Sequence, residues 1–323
     1  MNMIDKNTLL RYNRQPDISN WFEDQLQTLT DDGVYHNNIE ELKDKIVSNL
    51  TAYREEWNLE NIFIGMSGGI DSAVTGALFK EAGWNVTGVT MPIHQVVAET
   101  DRGREACERL GFNHIHADLT EGYELFRYNS LGLLDQLAKE APQGVDLSSH
   151  DKDTRVRLGN VRARMRMITL YNLASLNKGI VGSTDNFSEL AAGFWTLHGD
   201  VGDVAPIQSL TKSWEVPALA ELLEVPDSIV SAKPTDGLGV ANGDEDQFGF
   251  SYLEFDIAMF SLFRDNELEP ENEKDKAIVE SVKQRLTSTI YKRFNPLNLP
   301  HPLDEDRYSH LEKLDNYLRL SLI

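Results

Sequence analysis

Six consecutive residues, Ser67-Gly68-Gly69-Ile70-Asp71-Ser72, constrain this chain more than any other stretch. They follow an apolar run, Asn61 to Met66, and lead into a helical-looking stretch from Ala73 to Glu81. Strand, glycine-rich turn and helix is an arrangement in which backbone N–H groups and a helix N-terminus face an anion. Gly68 and Gly69 let the backbone approach closely, and the hydroxyls of Ser67 and Ser72 can donate to phosphate oxygens. Asp71 is the odd member, because a carboxylate repels phosphate unless a cation lies between them. The turn therefore points to a nucleotide bound with Mg²⁺. It has neither the Lys-Ser/Thr ending of a Walker loop nor the spacing of a dinucleotide fingerprint.

The pattern around this turn repeats. Strands are expected at 61–66, 84–91, 113–119 and 179–183, with helices between them at 71–82, 99–110 and 154–177. Such alternation predicts an α/β fold with a doubly wound parallel sheet and helices on both faces. Ile39, Leu42, Ile46 and Leu50 recur at helical spacing ahead of the first strand. Residues 1–38 are polar and weakly periodic, with Trp21 and Phe22 as anchors, and read as an N-terminal arm. The segment 123–150 reads as a helix running into a polar loop over 142–149. Beyond residue 183, short Gly- and Asp-rich loops alternate with helices near 214–224, 251–264 and 273–290. Residues 301–323 read as a helical tail.

Bulk properties narrow the function. The 323 residues carry a formal charge of −21, which repels phosphate backbones and argues against a nucleic-acid substrate. One cysteine, Cys107, permits no disulfide and no Cys-x-x-Cys site, so the chain suits a reducing compartment. No stretch has the length and apolarity of a membrane span, and the first residues lack the apolar centre of a signal peptide, so the expectation is a cytoplasmic enzyme. His114, His116 and Asp118 alternate along a strand candidate, as a metal site could, but a third strand of a nucleotide fold explains them equally well.

The turn at 67–72 resembles the pyrophosphate-binding loop of the N-type ATP pyrophosphatases, which adenylate a carboxylate or carbonyl oxygen and release pyrophosphate. Further motifs narrow the resemblance. The run from Gly159 to Met167 looks like the GNxxAR helix of the ammonia-dependent NAD synthetases. Asp185 to Glu189, Gly199-Asp200 and Pro206-Ile207 are similar to that family's second signature, as are Leu210 to Lys212, Lys233 to Thr235, and Asp244-Glu245 with Gly249 to Tyr252. Lys292 and Arg293 sit where the family carries a basic loop. These matches come in family order over roughly residues 39–300.

The resemblance implies a Rossmann-like fold of the adenine-nucleotide-hydrolase type. The implied substrates are ATP, ammonia and deamido-NAD. Ser67, Gly68, Gly69, Ile70 and Ser72 would cradle the ATP pyrophosphate, with Gln95, Thr184, Lys212 and Thr235 also on ATP. Asp71 and Glu189 would hold Mg²⁺, and Asp71, Glu189 and Lys212 would form the catalytic group. Asn160, Arg164, Phe194, Asp200, Asp203 and Glu245 would line the dinucleotide site, and Lys292 and Arg293 would close over it. The family's homodimeric assembly is the expected one. The family's Thr-Lys-Tyr becomes Thr196-Leu197-His198 here, and Thr90 replaces an arginine near the end of the second strand. These departures keep open a mononucleotide substrate, nicotinate mononucleotide, amidated by the same chemistry. A nucleotide-binding homologue without catalysis is the alternative of a different class. Glutamine-using relatives need a nucleophilic cysteine in an amidase domain. With Cys107 inside the nucleotide domain, free ammonia is the expected nitrogen donor, unless a separate glutaminase delivers it.

Overall fold

The computed structural model describes residues 5–15, 17–35, 38–140, 152–232, 249–265 and 267–293. The expected polar loop at 142–149, the candidates Thr235 and Glu245, and the tail 301–323 lie outside these residues.

Four strands, β1 (Asn61–Gly65), β2 (Asn85–Thr90), β3 (Asn113–His116) and β4 (Gly179–Val181), form one parallel sheet in the order β3-β2-β1-β4. The register pairs Phe63 with Thr87 on one side and with Val181 on the other. The expected strands are therefore present, each somewhat shorter than its apolar run. Helices α1 (Lys6–Tyr12), α2 (Asn20–Asp31) and α3 (Ile39–Glu56) precede β1. Next come α4 (Ile70–Glu81) after β1, α5 (Val97–Arg109) after β2, and α6 (Thr120–Glu140) and α7 (Lys152–Leu176) between β3 and β4. The rest is α8 (Phe187–Ala192), α9 (Glu215–Leu222), α10 (Asp227–Val230), α11 (Tyr252–Asp265), α12 (Glu273–Ser288) and α13 (Ile290–Arg293).

Strand alternation divides the core. Ile62 and Ile64 face a large cluster that includes Val74, Leu78 and Phe79 of α4, Ala106 and Cys107 of α5, and Leu219 of α9. Phe63 and Val89 face the opposite side and meet Met167, Leu170 and Ala174 of α7. Helices thus cover both faces, which is why the strands read as near-continuous apolar runs.

The segment read as an arm is built into this core. Leu9, Leu10, Ile18, Phe22, Leu26, Leu29 and Tyr35 are buried in the large cluster. Asp5 caps α1 through Thr8 N, and Ser19 caps α2 through Phe22 N, so both helices begin at a side-chain oxygen. The outer edge of β4 is covered by the loop that follows α8. Gly182 bridges Val204 in parallel, Asp203 N donates to the Val181 carbonyl at 2.8 Å, and Val181 N donates to Asp203 Oδ2 at 2.8 Å.

The strand order reverses between β1 and β4, since the chain runs outward through β2 and β3 before returning beside β1. Ligands of open parallel sheets bind outside the carboxyl ends of the strands at such a switch point. The turn after β1 and the loop after β4 meet there.

Candidate active site

The turn at 67–72 is held open by its neighbours. Gly68 sits at φ +84°, and a Cβ on it would overlap the Glu99 carbonyl of α5. Only glycine fits both the backbone conformation and the space. Ser67 Oγ accepts from Gly69 N at 3.2 Å and lies 3.3 Å from Ser72 Oγ, which donates to the Gly69 carbonyl at 3.0 Å. The N-cap of α4 is Gly69 and supplies no side-chain bond, so the amides of the first turn of α4 start without a side-chain cap.

Three charged groups converge beside this turn. Lys212 Nζ donates to Asp71 Oδ2 and lies 3.5 Å from Glu189 Oε1. Asn186 Nδ2 donates to Asp71 Oδ1 at 3.1 Å, while Asn186 Oδ1 caps α8 by accepting from Glu189 N at 3.0 Å. Lys212 is fixed from behind, its backbone N–H donating to Ser188 Oγ at 3.0 Å. All three charges are largely shielded, with side-chain exposures of 8% for Lys212, 14% for Asp71 and 15% for Glu189. Asp71 and Glu189, expected to hold one cation together, lie on either side of one ammonium group.

Two cavities open at this point, and Ser67, Asp71 and Glu189 line both. The smaller, about 340 Å³, runs over the carboxyl ends of β1 and β4 along α7 and the loop after α8. Gln95, Asn160, Thr184, Phe194, Asp200 and Lys292 line it, as the resemblance implies for a nucleotide site. Arg166, Asp185 and Trp195 line it as well. Asn160 Oδ1 accepts from Thr196 Oγ1 at 2.7 Å, and Asp200 accepts from Thr196 N. Lys292 Nζ donates to the carbonyls of Gly193 (2.7 Å) and Trp195 (2.6 Å) and lies 5.5 Å from the Trp195 ring centre. Burial holds Lys292 below the usual lysine range. Burial, with repulsion from Asp200 and Asp71, pushes the Asp185 carboxyl well above the usual carboxylate range. One Asp185 oxygen is buried without a hydrogen-bond partner. Asp200 is raised by burial, against the pull of its bond from Thr196 N.

The larger cavity, about 1000 Å³, lies on the other side of the turn. Gly68, Gly69 and Ile70 floor it, Lys212 and Tyr252 wall it, and Arg11 to Gln15 from the end of α1 complete it.

Three implied site residues stand elsewhere. Arg164 is exposed and donates from Nε to the Leu197 carbonyl at 3.1 Å. Asp203 accepts from Tyr171 Oη at 2.9 Å as well as from Val181 N, which ties it to the sheet edge. Arg293 caps the carboxyl end of α8 through the Ala191 carbonyl (3.2 Å) and reaches the Leu286 carbonyl (2.7 Å). Arg166 lies within the run from Gly159 to Met167, where no motif singles it out. It donates to the Met91 carbonyl at 3.0 Å and to Gln95 Oε1 at 3.3 Å, and so reaches the strand end that carries Thr90. His114 Nε2 and His116 Nδ1 each lie 3.0 Å from Thr90 Oγ1, and no group of three or more His, Cys, Asp or Glu side chains that could hold a metal occurs among the described residues.

Known proteins share this architecture and its sequence. A family model described as NAD synthase matches residues 42–296. The NH(3)-dependent NAD(+) synthetase of Finegoldia magna is 34% identical over 218 residues, covering 66% of this chain and 82% of that protein. Its counterpart from Alkaliphilus metalliredigens is 34% identical over 239 residues, covering 73% of this chain and 90% of that protein. Among solved structures, NMN synthetase from Francisella tularensis superposes with a TM-score of 0.67 at 28% identity, covering 82% of this chain and 99% of its own. NH3-dependent NAD synthetase from Campylobacter jejuni gives 0.58 at 25% identity, covering 81% and 100%. With the family model spanning the sheet, the phosphate turn and the loops that meet at the switch point, the chain belongs to the NAD synthase family.

Proposed function

We propose that this protein is an ammonia-dependent ligase that amidates deamido-NAD to NAD, using ATP and releasing AMP and pyrophosphate. The observation that carries this reading is the convergence of Asp71, Glu189 and Lys212 directly beside a phosphate turn, with Asp71 and Glu189 lining both cavities.

A carboxylate is a poor acylating agent because its leaving group would be oxide. Adenylation supplies a better one. The nicotinate carboxylate attacks the α-phosphorus of ATP, pyrophosphate departs, and ammonia then displaces AMP from the acyl-adenylate. No protein nucleophile is required, so the residues act by positioning and by charge stabilisation. Ser67, Ser72 and the amides of the turn hold the departing phosphates, with Lys212 offsetting their negative charge. Gln95 and Thr184 bind the ATP side of the small cavity. Phe194 offers a face to the pyridine ring, beside Asn160, Asp200 and Lys292.

The residues present fit Mg²⁺ only jointly with a nucleotide. Asp71 and Glu189 already share one cation, the Lys212 ammonium, and no third acidic ligand joins them among the described residues. Phosphate oxygens would complete the coordination sphere. Bound there, the ion would supply charge neutralisation for the phosphates. Free ammonia as nitrogen donor is supported by Cys107, which is buried and whose thiol is pushed up to about 12 by that burial. A cytoplasmic homodimer is the setting we propose from the family resemblance.

A second reading is amidation of nicotinate mononucleotide. It is favoured by Leu197 and His198 beside the small cavity and by the structural likeness to NMN synthetase. Purified protein with ATP, Mg²⁺ and ammonium, offered each pyridine nucleotide in turn, separates the two. Equal amounts of NAD and AMP from deamido-NAD are expected. Preferential use of the mononucleotide would move the substrate, and absence of AMP with both would overturn the ligase reading.

A further inference from the structure

The larger cavity gathers four cations in a strongly acidic protein. Arg11, Arg14, Arg102 and Lys212 line it, against Asp71, Glu189 and Asp227, while the whole chain carries −21. A polyphosphate approaching this molecule is repelled at long range, so its binding depends on cations placed within contact distance. Three of the four cations are engaged. Arg11 pairs with Glu221, Arg14 donates to the Val230 carbonyl at 2.6 Å, and Lys212 holds Asp71 and Glu189.

Arg102 differs. It is half-buried on α5, and its Nε donates to the Gly68 carbonyl at 3.2 Å. Its two terminal nitrogens make no hydrogen bond among the described residues. The guanidinium is planar, so the nitrogen that holds Gly68 also fixes the direction of the other two. Those two form a pair of parallel donors on a residue that lines the larger cavity beside the phosphate turn, a pairing that suits two oxygens of one phosphate. The contact with Gly68 couples the two roles, because the turn is pressed against α5 where a Cβ at position 68 would meet both the Glu99 carbonyl and Arg102 Cβ.

We propose that Arg102 binds the terminal phosphates of ATP, and the pyrophosphate formed from them, while holding the phosphate turn open through Gly68. This rests on the reading that the chain splits ATP between its α- and β-phosphates. Its consequence is that a residue of α5 determines affinity for the polyphosphate end of ATP without touching the pyridine nucleotide.

The test uses full-length protein, Arg102→Ala and Arg102→Lys, with Arg104→Ala as a control on the same helix, where Arg104 pairs with exposed Asp101 at 3.4 Å. Calorimetry with inorganic pyrophosphate and Mg²⁺ measures binding without turnover, steady-state assays give KM for each substrate, and thermal unfolding monitors the fold. Loss of a charge-assisted pair predicts pyrophosphate binding weakened about tenfold or more in Arg102→Ala, with a parallel rise in KM for ATP. KM for the pyridine nucleotide stays within about twofold, and Arg102→Lys recovers part of the loss because charge survives without the fork. Unchanged pyrophosphate affinity in Arg102→Ala, an equal loss in Arg104→Ala, or no detectable binding by the unaltered protein would overturn the proposal. Pyrophosphate binding that depends on Arg102 in a protein making no AMP would uphold the site and instead overturn the ligase reading.

Discussion

At the scale of single residues, the site is a balance of buried charge. Lys212 stands between Asp71 and Glu189 in a shielded recess, so removing its charge leaves two carboxylates facing each other and the incoming phosphates. Lys212→Met, which keeps most of the length of the side chain, is expected to lower kcat/KM for ATP by about a thousandfold, read as AMP release, because transition-state charge loses its nearest donor. Asp256 tests a different balance. It is fully buried, one carboxyl oxygen has no partner, and burial raises it to about 6 from an ordinary 3.8, against the bonds from Ser188 and Ser213. Below pH 3.8 both folded and unfolded chains hold this proton. Between about 4 and 6 only the folded chain does, so stability falls as pH rises through that window and is fully reduced above it. The cost above pH 6 is on the order of 3 kcal/mol. Urea unfolding of Asp256→Asn should show a shallower loss of stability than the parent across this window, and equal slopes would remove Asp256 from the account.

At the scale of elements, the surprise is the beginning of the chain. Phe22, Leu26 and Leu29 follow helical spacing, yet the composition around them is polar enough to mask that stripe. A helix docked on a body needs only a narrow apolar face, and α2 supplies three buried apolar residues, Phe22, Leu26 and Leu29, with Thr30 buried beside them. Leu26→Ala should therefore cost about 2–5 kcal/mol, measured by urea unfolding, as for other core leucines. A detachable arm would show almost no change. The alternating strands and helices were legible because burial on both faces makes each strand a continuous apolar run. The phosphate turn was legible because glycines, serines and a carboxylate are adjacent in sequence. Arg102 and Arg166 were not, since each owes its place to a contact with a distant backbone carbonyl, Gly68 in one case and Met91 in the other. Local periodicity carries no trace of such contacts. Asp203 and Arg293 show the converse, for the resemblance brought them to the ligand while their hydrogen bonds tie them to a strand edge and a helix end.

At the scale of the whole molecule, 52 acidic residues against 31 basic ones set a field of self-repulsion. Raising the ionic strength from about 0.01 M to about 0.15 M shortens the screening length from ~30 Å to ~8 Å. The melting temperature should rise over that range, because repulsion among surface carboxylates opposes the compact state. A fall would mean that exposed ion pairs such as Lys45 with Glu41 dominate instead. The same scale gives meaning to the loop beside β4. A strand at the margin of a sheet ordinarily presents a row of unpaired amides and carbonyls, to which a strand from another molecule can add. Here Asp203 offers its backbone N–H and its carboxylate to Val181, and Ser183 N donates to the Val204 carbonyl at 2.8 Å. The template is occupied from within. On this flank, resistance to aggregation comes from a single aspartate and its neighbours, and a catalytic assay would register nothing of that protection.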